Sequence, residues 1–110
     1  MKALSVKQPW ANMIASGEKT IETRVWYTEY RGDLLIVSSK NPNVQPAGCA
    51  LAIVELVDCR PMTASDERDA RCALYPNAFA WVLRNIRKVS PWTVRGQLGL
   101  YDVEVAVDRL

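Results

Sequence analysis

Apolar residues come in short blocks, and glycine or proline stands between most of them. Ala3–Val6 reads as a first strand. Pro9 suits the first position of a helix, and Trp10, Met13 and Ile14 then share one helical face, so a helix is predicted over Pro9–Ser16. Gly17 follows it in the place of a C′ glycine. The period then drops to two: Ile21, Thr23 and Val25 alternate with Thr20, Glu22, Arg24 and Trp26, a strand pattern. Asp33–Ser39 is a nearly continuous apolar run, hence a buried strand, and Lys40–Pro46 is a loop with two prolines. Gly48–Asp58 reads as a long strand. A short helix follows near Ser65–Ala73, with Ser65 as cap and Asp66 and Glu67 in its first turn. Tyr75–Ala78 is a turn, Ala80–Val89 a strand, Pro91–Gly96 a loop, and Leu98–Val107 the last strand.

About six strands and two short helices result, with no repeat and no linker. The strands are not separated by regular helices, which argues against a parallel βαβ sheet. The pattern predicts a mainly β (α+β) fold: a single domain over residues 1–110, built as a small, mostly antiparallel six-stranded β-barrel. Closure would leave few free edges, which a chain of this size has to manage.

Composition changes this picture little. The chain has 110 residues, 49% hydrophobic and 24% charged, as an ordinary folded domain does. A net charge of +2 is no global signal for nucleic acid. Its distribution says more, because residues 70–101 hold Arg71, Arg84, Arg87, Lys88 and Arg95 and no acid. Any basic face should draw on that stretch, with Arg84 and Lys88 on one side of their strand. Without histidine, Ser-His-Asp and Cys-His mechanisms are excluded. Three widely spaced cysteines, Cys49, Cys59 and Cys72, do not form a disulfide framework, and no CxxC pair suggests zinc. They read as buried, reduced thiols. No metal and no cofactor is called for. The N-terminus carries no signal-peptide stretch and nothing approaches a membrane span, so the expected location is cytoplasmic and the expected partners exclude membranes.

The candidate chemistry lies on the strand after Gly17. Glu22, Arg24 and Trp26 share a row, and Lys19 stands at its entrance. The row is either a solvated face, with Glu22 and Arg24 simply paired, or one side of a cleft. Trp10 or Trp26 can wall such a cleft as a stacking platform, although Trp10 shares the helical face of Met13 and Ile14 and reads first as a core anchor. Ser38 and Lys40 end a neighbouring strand and can reach the same place. Gln8 is a further donor.

These residues also sit in a series of motifs. Gly17, Lys19, Glu22 and Arg24 spell G-x-K-x-x-E-x-R. Ser5-Val-Lys-Gln-Pro-Trp-Ala11 precedes it and Trp26-Tyr-Thr-Glu-Tyr-Arg-Gly32 follows. Gly48-Cys-Ala-Leu-Ala-Ile-Val-Glu55, Phe79-Ala-Trp-Val-Leu83 and Gly96-Gln-Leu-Gly-Leu-Tyr101 complete the order. In this order they resemble the ASCH domain (activating signal cointegrator homology domain), a branch of the PUA-like β-barrels, over nearly the whole chain. The resemblance implies a cleft beside the signature that binds RNA or a modified nucleoside or nucleotide, with DNA as another polymer bound in the family. Some members are similar to amidohydrolases that remove an acetyl group from the exocyclic amine of cytidine, and others cleave RNA. The deacetylating relatives carry threonine where this chain has Glu22. If the chain is an enzyme, Lys19 and Glu22 are its catalytic candidates. The expected ligand-binding set is Gln8, Trp10, Lys19, Glu22, Arg24, Trp26, Ser38, Lys40, Arg84 and Lys88.

Overall fold

The computed structural model describes residues 1–109. Six strands form one sheet: β1 (Lys2–Val6), β2 (Ile21–Arg24), β3 (Gly32–Ser38), β4 (Cys49–Pro61), β5 (Phe79–Thr93) and β6 (Leu100–Asp102). Helix α1 (Trp10–Ser16) joins β1 to β2, and α2 (Glu67–Ala70) lies between β4 and β5. The strand order is β2-β5-β4-β3-β1-β6. Every neighbouring pair is antiparallel except β1 and β3, which run parallel. The mainly β, mostly antiparallel fold predicted from the sequence is therefore the observed one. The sheet curls into a half-barrel whose outer strands, β2 and β6, do not pair with each other. A side chain spans part of the gap: Arg24 Nη2 on β2 donates to the Ser5 carbonyl of β1 at 2.8 Å.

Both faces of the sheet are covered, which explains the unbroken apolar run of β3. Leu34 and Ile36 enter one cluster with Leu4, Ile14, Leu56 and Trp81, while Leu35 and Val37 enter another with Ala3, Ile53 and Tyr101. A strand buried on both sides has no polar row to alternate with. Helix α1 seals the first cluster with Ala11 and Ile14 and ends where predicted, at Gly17 in the left-handed region (φ 86°).

Several boundaries differ from the sequence reading, and β4 runs three residues past Asp58 to Pro61. The turn before α2 is capped by Thr63, not Ser65. Asp66 accepts the Thr63 backbone N–H at 2.9 Å in a capping box, and Ser65 only shares a hydroxyl contact with Thr63. Helix α2 stops at Ala70, short of Ala73, because Arg71 turns left-handed (φ 56°). Strand β5 runs on through Pro91 to Thr93. Ala50 pairs with Trp92 and Ala52 with Lys88, so Pro91 falls in a register irregularity where its missing N–H breaks no ladder bond. Strand β6 is only three residues long, since its partner β1 begins at Lys2 and no further strand lies beyond it among the described residues.

The three thiols are unpaired, as expected, but Cys59 alone is buried and Cys49 and Cys72 are half-buried. Among the described residues no helix is long and apolar enough to cross a membrane.

Candidate functional site

Where β1, β2, the β3–β4 loop and the β5–β6 loop meet, the curl leaves a cleft of about 800 Å³. The signature forms its inner wall. The turn that Gly17 makes possible is held by the Lys19 N–H on the Met13 carbonyl at 3.0 Å, and it directs Lys19 inward. Lys19 is 1% exposed. Its ammonium donates to the Ala70 carbonyl at the end of α2 and lies 3.4 Å from Glu22 Oε1. Glu22 Oε2 receives Arg24 through Nη2 at 2.8 Å and Nε at 3.1 Å. One buried carboxylate thus joins two cations, and their further bonds reach α2 and β1. The row read from the sequence is therefore not a solvated face. Burial holds the Lys19 ammonium below the ordinary lysine pKa, against the opposing pull of Glu22.

Around this wall the lining is strongly cationic. Lys7, Lys19, Arg24, Lys40 and Arg95 face the cleft against the single carboxylate of Glu22. Lys7, Lys40 and Arg95 are exposed and make no ion pair among the described residues. Ser38 is buried in the floor, where its hydroxyl accepts the Cys49 N–H at 3.1 Å and donates to the Cys49 carbonyl at 3.3 Å. Trp10 stands at the rim, 37% exposed, with Nε1 3.4 Å from the Arg71 carbonyl, so it is a wall and not a core anchor.

Of the residues expected at a ligand site, Trp10, Lys19, Glu22, Arg24, Ser38 and Lys40 meet in this cleft. Four lie outside its lining. Gln8 is 3% exposed, and its amide is used up within the protein: Nε2 donates to Asn12 Oδ1 and to the Pro46 carbonyl, and Oε1 accepts the Asn12 N–H. Gln8 thereby ties the start of α1 to the loop that carries Lys40. Trp26, half-buried, packs edge-on against Trp81 at the margin of the core, ring centroids 4.8 Å apart. Arg84 and Lys88 are exposed on β5, away from the cleft. They do not share a row either. Asn85, at φ 53°, inserts an extra residue into the strand, so Arg84 falls opposite Glu55 and Arg87 opposite Ile53, while Lys88 falls opposite Ala52. Strict alternation fails at that bulge.

Several lining residues carried no assignment from the sequence. Lys7 lay in the first motif and Arg95 in the acid-free run, so both had a signal. Thr23, Cys72 and Tyr75 had none. Cys72 and Tyr75 sit on an irregular connection after α2 and reach the cleft only through the fold; Cys72 Sγ lies 3.8 Å from Thr23 Oγ1.

A curled, mostly antiparallel half-barrel with a signature-lined cationic cleft defines a class of small β-domain. A sequence model of the ASCH domain matches residues 4–93, and the chain belongs to that family. It is 35% identical to human activating signal cointegrator 1 over an 80-residue alignment that covers 51% of this chain and 14% of that protein. The mouse protein of the same name is 34% identical over an alignment of the same length. The matched region is thus a small part of those relatives. In fold, the chain resembles the crystal structure of ASCH from Zymomonas mobilis, with a TM-score of 0.74, 16% identity, and 94% of this chain and 87% of that one covered. A tyrosine-to-phenylalanine mutant of the Zymomonas protein gives a TM-score of 0.70 at 15% identity, covering 94% of this chain and 89% of its own.

Proposed function

We propose that the cleft binds nucleic acid, RNA in the first place, or a modified nucleotide, holding phosphate with its rim cations and a base against Trp10. The observation that carries this reading is the lining itself: five cations against one carboxylate in a concave site of about 800 Å³. Such a field concentrates a polyanion, and unpaired lysines and arginines gain most from phosphate. Membership of the ASCH family supports the same reading. The roles divide by exposure. Lys7, Lys40 and Arg95 contact phosphate. Lys19 and Glu22, already committed to each other and to Ala70, hold the wall in shape, and Arg24, partly exposed, presents the remaining edge of its guanidinium.

The test is anisotropy titration of a labelled RNA of about twelve nucleotides at several salt concentrations. Contacts from the three free cations predict a log–log slope of about −2 for a single strand, at roughly 0.7 per phosphate. Arg95→Glu and Lys40→Glu should each weaken binding and flatten the slope, whereas Arg84→Glu should leave both nearly unchanged. Equal losses at Arg84 and Arg95 would assign binding to a different face.

A second reading, hydrolysis of an acylated nucleoside or of RNA, rests on the buried amine of Lys19, whose lowered pKa and cleft position suit a proton-transfer group. Incubation with N4-acetylcytidine and with RNA separates the two. Product that disappears in Lys19→Met would make the chain an enzyme; binding without product keeps it a binding module.

A further inference from the structure

Leu98 is 98% exposed, more than any other large apolar side chain among the described residues; Val25 follows at 62%. Isolated surface leucines are ordinary. What sets this one apart is its place. It sits between Gly96 and Gly99 on the loop joining β5 to β6, and that loop forms one lip of the cationic cleft, with Trp10 in the same lining. The feet of the loop are fixed. Val94 is buried and its N–H donates to the Gly48 carbonyl at 3.0 Å. Tyr101 is buried, with its hydroxyl 2.7 Å from Ser5 Oγ. Gly99 adopts φ 67°, a conformation that turns the chain back into β6 and that other residues rarely take. A pinned loop thus presents an apolar tip to water beside Arg95.

We propose that Leu98 and Trp10 are the two apolar jaws of a clamp for one unstacked nucleobase, so that the cleft takes single-stranded nucleic acid in preference to duplex. This rests on the nucleic-acid reading of the cleft and specifies its ligand. The charge of the rim selects a polyanion over an apolar peptide, and a polyanion with an apolar face to offer is a nucleic acid whose bases are free. In a duplex the base faces are occupied by their neighbours, and only base edges are open to a protein. An aromatic wall is the usual platform for a free base.

The experiment uses an RNA of about twelve nucleotides and the DNA of the same sequence, each with a central 2-aminopurine, as single strands and as duplexes. The parent protein is expected to bind the single strands at least tenfold tighter than the duplexes and to change the 2-aminopurine fluorescence on binding. Leu98→Ser should weaken single-strand binding about fivefold, abolish the fluorescence change and keep the salt slope; Leu98→Phe should restore binding. Leu74→Ser, at another exposed leucine outside the cleft, should do nothing. Parent-like binding by Leu98→Ser while Arg95→Glu weakens it, or equal affinity for duplex, would overturn the clamp and leave the cationic cleft standing. Failure of the parent to bind any of the oligonucleotides would overturn the nucleic-acid reading together with the clamp.

Discussion

Replacing Glu22 by glutamine keeps the shape of the side chain and removes its charge. The Lys19 ammonium, 1% exposed, then keeps the Ala70 carbonyl but loses the one carboxylate it pairs with among the described residues. Breaking a buried pair from one side costs about 3–5 kcal/mol. An upper limit follows from titration, because at about 1.36 kcal/mol per pH unit, neutralising an ordinary lysine at pH 7 costs about 4.6 kcal/mol and ends the problem. Arg24 adds little, since its side chain is 24% exposed and water can replace the carboxylate. The expected loss is therefore about 3 kcal/mol, at the low end because one hydrogen bond survives. Urea unfolding at pH 7 should show the midpoint falling by about 1 M or more with the slope unchanged. The double variant Lys19→Met, Glu22→Gln buries no charge and should recover more than half of the loss, a coupling of at least about 1.5 kcal/mol. The pH dependence has a definite sign. Lys19 is held below its unfolded value, so in the window between the two the unfolded chain carries more protons and stability rises with pH; below that window it is flat. Glu22 opposes the lowering, so Glu22→Gln should open the window further toward neutral pH. A single variant within about 0.5 kcal/mol of the parent, with no recovery in the double, would refute the coupled pair.

Asp66 is held at about 2 by the Arg60 guanidinium, bonded at 2.7 and 2.9 Å, and by the Thr63 N–H. A depressed carboxylate contributes stability above its unfolded value that is lost as pH falls through about 2, so Asp66→Asn should cost about 2 kcal/mol at pH 7 and nothing below pH 2, read by thermal melts across pH. Gly48 stands at φ 65°, and a Cβ there would come within 2.5 Å of Lys40 Cε, so Gly48→Ala should displace Lys40 and weaken RNA binding more than it weakens the fold. Glu22→Thr introduces the threonine that the family resemblance implies for deacetylating members; a trace of N4-acetylcytidine hydrolysis absent from the parent, in protein that circular dichroism shows to be folded, would identify Glu22 as the block, and folded protein without product would place the missing chemistry elsewhere.

The six-stranded, mostly antiparallel sheet is legible in the sequence because its punctuation is local, whereas the closure expected of it is not found, since β2 and β6 do not pair. Gly17 ends α1 by its own conformation, and the apolar run of β3 needs no partner to be recognised. The signature is legible as chemistry but not as geometry. Nothing in its spacing says that Ala70, fifty-one residues away, supplies the acceptor that buries Lys19. Gln8 and Trp26 fall outside the cleft for the same reason, since their partners, Pro46 and Trp81, are distant in the chain. Arg84 and Lys88 lose their common row through a single left-handed residue, Asn85, which no periodicity argument anticipates. Cys72 and Tyr75 reach the cleft from an irregular segment, where pattern carries no information.

The most direct test of the cleft as a nucleic-acid site is a titration of the isotope-labelled protein with a short single-stranded RNA, followed by amide and Trp indole chemical shifts. The expected perturbations run over the rim, at Trp10, Lys40, Asn41 and Arg95 to Gly99, with Lys19 and Glu22 following as the wall responds. Perturbations gathered instead on Arg84, Arg87 and Lys88, with the rim silent, would contradict it.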